Sequence, residues 1–197
     1  HVLSAADREK APPIEDFYVD TGMSQEQAER LISIGTPMVF RPTFLPLGDG
    51  QLCSKAMDDR SCFVTLLRMA ELLQNEALDV DLYLMGSTRE EISGAGAVTG
   101  TRAVAPDFCV AVDVTHGKTP DAPADRASII GGGPAAGIGP NMTRWMTRRM
   151  LDKADELGIP VQKEVMEGPT GTNGWYMQIC NEGIATSVVS LPLKYMH

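Results

Sequence analysis

The runs Val80 to Met85 and Phe108 to Val114 are short, rich in strand formers and largely apolar, the pattern of strands buried on both faces. Before them the period changes. From Asp58 to Gln74, apolar residues at Phe63, Leu66, Leu67, Ala70 and Leu73 form one helical stripe behind an acidic first turn, which predicts a core helix. Further helices are predicted at Asn141 to Leu157 and Thr172 to Glu182, and further strands at Pro160 to Met166 and Ile184 to Leu191. Strands alternating with helices from Ala56 onward predict an α/β domain: a mostly parallel sheet with flanking helices, its functional side chains at the carboxyl ends of strands.

Residues 1–50 follow another pattern. Ser4-x-x-Asp7 and Ser24-x-x-Gln27 read as helix N-caps, the second opening a short helix SQEQAERLI. Punctuation at Pro12-Pro13, Gly35, Pro37, Pro42, Pro46 and Gly48 leaves room only for short strands such as Asp16 to Val19 and Pro37 to Phe40. A β-rich module over residues 1–52 beside an α/β domain over residues 53–197 is therefore expected.

Composition narrows the partners. A chain of 197 residues with 43% hydrophobic content can bury a sizeable core in one domain or one and a half. Its 17 basic and 26 acidic residues give a net charge of −9, the wrong sign for a nucleic-acid binder or a basic membrane-surface protein. No apolar run approaches the roughly 20 residues of a membrane span. With no charged-then-apolar leader at its start either, a cytoplasmic location is expected; Cys53, Cys62, Cys109 and Cys180 are scattered without C-x-x-C spacing, so buried free thiols are expected. The chain opens at His1 and stops at LPLKYMH, and is expected to be a fragment of a longer protein.

Candidate chemistry gathers at element boundaries. Glu90-Glu91 follows the first strand, and neighbours in extended chain point opposite ways, one toward a metal and the other toward substrate or water. Asp113 lies among apolar neighbours, where an unpaired charge is costly and a cation is the simplest partner. Asp58-Asp59 alone reads as a cap worth about 0.3–1 kcal/mol, and Glu90-Glu91 alone is equally a solvated loop. His197 closes the chain after another strand. Together, carboxylates and an imidazole suit zinc, cobalt or manganese, with a neighbouring carboxylate as general base. Lys55, Arg60 and His116 read as outer support for such a site. GGGPAA at Gly131 to Ala136 reads as a glycine-rich loop, and Met142, Trp145, Met146 and Met150 as core or interface.

SKAMDDRS, STREEISGAGA, VAVDVTHG, GIPVQKEV, GPTGTNGW and GIATSVVSLPLKYMH resemble, in order and spacing, the glutamyl (tetrahedral) aminopeptidases, a family of dinuclear metallopeptidases whose members also carry the labels cellulase M and endoglucanase. The resemblance implies a zinc-peptidase-like fold, with residues 1–52 part of a small β-barrel dimerisation domain. It implies that Asp58 bridges two metals, that Glu91 and His197 complete one and Asp113 belongs to the other, that Glu90 is the general base, and that Asp59 sets the bridging loop. It further implies two divalent ions, zinc or cobalt, in the intact protein, peptide substrates, and a homo-oligomer built from dimers. The family's H-x-D motif and the helix after its last histidine are absent, and its G-T-D-A is here Gly171-Thr172-Asn173-Gly174. At most one metal is therefore expected in this fragment, with little or no activity. A carbohydrate hydrolase is the alternative enzyme, but 6% aromatic residues supply few stacking platforms. An inactive assembly protein is the alternative from another class.

Overall fold

The computed structural model describes residue 4, residues 6–123 and residues 125–197. Two compact units divide it, His1–Arg41 and Pro42–His197.

In the first unit the capping box forms as its sequence predicts. Gln27 N donates to Ser24 Oγ at 3.3 Å and Ser24 N to Gln27 Oε1 at 3.0 Å, opening α1 (Gln25–Leu31). Asp7 N likewise donates to Ser4 Oγ at 3.2 Å, ahead of a single 3-10 turn at Asp7–Glu9. The strands expected at Asp16 to Val19 and Pro37 to Phe40 are not formed. Their backbones meet no ladder partner among the described residues, and a lone extended segment gains nothing from strand propensity.

The second unit begins with a hairpin in which β1 (Phe44–Pro46) pairs antiparallel with β2 (Leu52–Ser54). Its main sheet comprises β3 (Phe108–His116), β4 (Ala135–Ile138), β5 (Gln162–Val165) and β6 (Ala185–Leu193) in the order β3-β6-β4-β5. The pairs β3–β6 and β4–β5 are parallel, and β4 meets β6 antiparallel. Helices α2 (Met57–Leu73), α3 (Glu90–Ser93), α4 (Ala95–Val104), α5 (Arg144–Glu156) and α6 (Asn173–Met177) complete the unit. Successive residues of β6 face opposite layers. Thr147 of α5 shares a hydrogen bond with Ser187 Oγ at 3.1 Å, whereas Gly174 of α6 lies so close to Val188 that an added Cβ would meet its methyl at 2.8 Å. The sheet is thus covered on both faces. The core on the α6 side joins Ala97, Cys109, Ala111, Met177, Cys180 and Val188. Among the described residues no helix is long and apolar enough to cross a membrane.

Four local expectations change. Val80 to Met85 forms no strand, with Val80 55% and Leu82 45% exposed, because no neighbour among the described residues meets its N–H and C=O groups. On α2 only Cys62 is buried, and Phe63 and Leu67 stay half exposed, since an apolar stripe is buried only where a surface opposes it. Helix α4 was not predicted because its glycines depress propensity. They serve contact instead, for a Cβ at Gly96 would strike the Thr88 backbone and one at Gly100 the Met85 sulfur. GGGPAA runs into β4 rather than remaining a loop, and small residues suit this inner strand: a Cβ at Gly137 would meet Met166 Sδ at 3.0 Å and Val188 Cβ at 3.2 Å.

Gly139 follows β4, and a Cβ there would collide with the carbonyl oxygen of Met166, whose own N–H bonds Ile138 O at 2.8 Å. Gly139→Ala is expected to destabilise the unit by about 2–3 kcal/mol. The measurement is the urea midpoint at constant m-value; an unshifted midpoint would show that this junction spreads freely.

Candidate metal centre

Asp58 and Asp59 stand where the chain enters α2, both with non-helical backbone. Asp59 Oδ1 accepts from Cys62 N at 3.2 Å, which gives the helix its side-chain cap. Asp58 is left to line a cleft. The cap and the site readings of this pair are therefore divided between its two members. Cys62 also donates its thiol to Asp113 O at 3.0 Å, fastening the start of α2 to β3.

Asp113 is buried near the end of β3, and its Oδ1 accepts from Val114 N at 2.8 Å. Its register neighbour Ser190 donates instead to Glu164 at 2.7 Å, and Thr115 donates to the same carboxylate at 2.6 Å. No side-chain donor among the described residues reaches Asp113. Burial lifts its pKa to about 7, the Val114 N–H opposing and the charges of Asp59, Glu90 and Asp58 adding to the rise.

Arg89, in left-handed backbone at φ 60°, turns the chain into α3 and delivers Glu90 and Glu91 to the cleft. His197 Nε2 lies 3.1 Å from Asp58 Oδ2, and its Nδ1 lies 3.7 Å from Glu91 Oε2. Asp58, Glu91 and His197 each bring a donor atom within 4.8 Å of the others, and so do Asp58, Asp59 and Asp113. Asp58 belongs to both groups. Glu90 is pushed above the usual carboxylate range, first by burial and then by the charges of Glu91, Asp58 and Asp59, with His197 opposing. The cleft, about 350 Å³, is completed by Val114, Thr172, Trp175, Tyr176 and Met196 among others.

Sequence reasoning assigned no role to Thr172, Trp175 or Tyr176, although the GPTGTNGW segment that carries the first two leads from the loop after β5 into α6. Asn173 Nδ2 donates to Ser87 Oγ at 2.8 Å, tying α6 to the segment that leads to Glu90, while Asn173 Oδ1 is buried without a hydrogen-bond partner. Among the described residues, Lys55, Arg60 and His116 make no side-chain hydrogen bond or ion pair to these carboxylates; His116 lines a neighbouring cavity. The donor chemistry fits a divalent transition metal: oxygen donors and one imidazole, with a buried carboxylate that only a backbone N–H offsets.

The family profile described as M42 glutamyl aminopeptidase matches residues 1–197. The chain is 35% identical over 185 residues to a lysyl aminopeptidase of Pyrococcus furiosus, covering 93% of this chain and 53% of that protein. It is 26% identical over 192 residues to a glutamyl aminopeptidase of Lactococcus lactis, covering 94% and 53%. The chain thus spans about half the length of the curated relatives it matches. Among solved structures, an aminopeptidase from the archaeon Desulfurococcus kamchatkensis superposes with TM-score 0.80 at 30% identity, over 95% of this chain and 56% of that one. A TET aminopeptidase from a marine sediment archaeon of the Thaumarchaeota shares the fold at TM-score 0.89 and 24% identity, over 100% and 57%.

A carboxyl group whose folded pKa lies near 7, against 3.8 in the unfolded chain, is protonated more in the native state across that window. Stability of the metal-free protein is therefore expected to fall as pH rises from about 4 to 7, by on the order of 2–4 kcal/mol from Asp113. Asp59 and Glu90, also raised, act in the same sense. Urea midpoints across this range check it: Asp113→Asn should flatten the slope, and an unchanged slope would move the effect elsewhere.

Proposed function

The chain belongs to the M42 glutamyl aminopeptidase family, and from that premise we propose that it is the larger part of the catalytic centre of a cytoplasmic metallo-aminopeptidase that releases N-terminal residues from peptides. The observation that carries the reading is the convergence of Asp58, Glu91 and His197 on one point, with Asp58 shared with the buried Asp113. In this reading Asp58, Glu91 and His197 hold one divalent ion, zinc or cobalt, and Asp58 and Asp113 contribute to a second in the intact protein. Such ions supply Lewis acidity, acidifying water and polarising a peptide carbonyl.

The chain's own residues do the rest. Glu90 lines the cleft beside the donor set, where burial pushes its pKa above the usual carboxylate range, the direction that favours a proton acceptor. It accepts a proton from the attacking water and delivers it to the departing amine, so the peptide bond breaks without a charged leaving group. Asp59 and Cys62 keep the Asp58 turn and Asp113 in place. Asn173 and Ser87 hold the segment that presents Glu90. Residues 1–52 form part of a dimerisation domain and residues 53–197 of the catalytic domain. Exposed Phe17, Tyr18, Val19 and Phe40 support self-association into an oligomer built from dimers.

Extended to the length of its relatives, the protein is expected to hydrolyse aminoacyl chromogenic substrates and to lose that activity to a chelator. Glu90→Gln should retain metal while lowering turnover by at least about 10²-fold, since it removes the proton acceptor and keeps the shape. Cellulose hydrolysis that survives chelation would sink the reading. The 197-residue chain alone should hold at most one ion per chain with little or no turnover, because Asp58 and Asp113 without imidazole bind a second weakly. Metal analysis after gel filtration tests this, and two tightly held ions would show the ligands to be misassigned.

A further inference from the structure

We propose that the cavity beside the candidate metal centre is a subsite for the carboxylate end of a short peptide, recognised by Arg126; the substrate class rests on the aminopeptidase reading.

The cavity, about 370 Å³, is lined by His116, Thr119, Asp121, Arg126, Leu193 and Tyr195 among others, and it shares Met196 with the metal-site cleft. The two spaces follow the same pair of strands. Asp113 and Val114 of β3 line the first and His116 the second; after Leu193 ends β6, Met196 lies between them and His197 enters the first. Both therefore open at the carboxyl ends of two parallel strands, where α/β sheets bind ligands.

The wall that carries Arg126 is held by its own backbone. Gly117 N donates to Leu193 O at 2.6 Å, Lys118 N to Ser128 O at 2.8 Å and Ser128 N to His116 O at 2.8 Å, which closes the loop at its base. Inside it, Ala122 N bonds Thr119 O at 3.2 Å and Arg126 N bonds Pro123 O at 3.1 Å. Among the described residues, the guanidinium of Arg126 and the imidazole of His116 have no hydrogen-bond or ion-pair partner, although Asp121 lines the same cavity. Charge thus changes along the path. The first cleft holds the metal donor set and Glu90, and the second offers a planar guanidinium fork that matches a carboxylate. Because Asp121 offsets the net charge, recognition depends on directed hydrogen bonds rather than on bulk potential. Ala122, Pro123 and Leu193 supply apolar wall for the intervening side chains.

The test is calorimetric titration of the zinc-loaded 197-residue chain with trialanine and with trialanine amide. Trialanine should bind about tenfold more tightly than the amide, the scale of a charge-assisted hydrogen bond to an exposed carboxylate. Arg126→Ala should bring that ratio to about one, and Arg126→Lys, which keeps the charge and loses the fork, should restore part of it. Equal affinities in the wild type, a preference that survives Arg126→Ala, or no binding of either peptide would each overturn the subsite. The ratio requires no turnover, so absence of chelator-sensitive hydrolysis in the full-length protein would strike the aminopeptidase reading alone.

Discussion

Convergence of like charge is the constraint on which the rest of this structure depends. Asp58, Glu90, Glu91 and Asp113 line one cleft, with Asp59 capping the helix beside it, and the only imidazole among the cleft's lining residues is that of His197. Burial raises the cost of charge at Asp113, Glu90 and Asp59 and neighbouring carboxylates raise it again, which is why these three are driven toward the protonated form. A divalent cation reverses that sign for several groups at once. An arrangement this unfavourable without a cation is costly to keep as mere scaffold.

The scaffold supplies rigidity where the charges need it. Cys62 joins α2 to the Asp113 backbone through a buried thiol, and burial together with Asp59 holds that thiol far above its ordinary pKa, so it remains a donor. Glu164 gathers the hydroxyls of Thr115 and Ser190 on the sheet, so that neither hydroxyl donates to Asp113. The Asn173 to Ser87 bond crosses from α6 to the segment before Glu90. Together they keep carboxylates close that would separate in a looser frame.

Local pattern was informative where local physics decides. The Ser24 capping box, the strand at Phe108, the helix after Asp58 and the strand near the end of the chain depend on hydrogen bonds and periodicities within a few residues, and they were readable. Helix α4 and strand β4 were hidden for one reason: their glycines and alanines signal loop by propensity but serve close approach to Thr88, Met85, Met166 and Val188. The segment Val80 to Met85 failed the other way. Its apolar character is real, yet a strand exists only when a second chain segment meets its backbone.

Residue identity by itself set the donor types, the acidic surplus and the free thiols, and it singled out Asp58, Glu90, Glu91, Asp113 and His197 as candidates. It could not say that Asp58 and His197, 139 positions apart in numbering, approach to 3.1 Å, or that Asp59 rather than Asp58 caps the helix. Those facts belong to tertiary structure, because they depend on parallel strands β3 and β6 ending side by side and on which backbone N–H each carboxylate meets first. Sequence carries chemistry as a list. Only packing turns the list into distances, and charge interaction depends on distance.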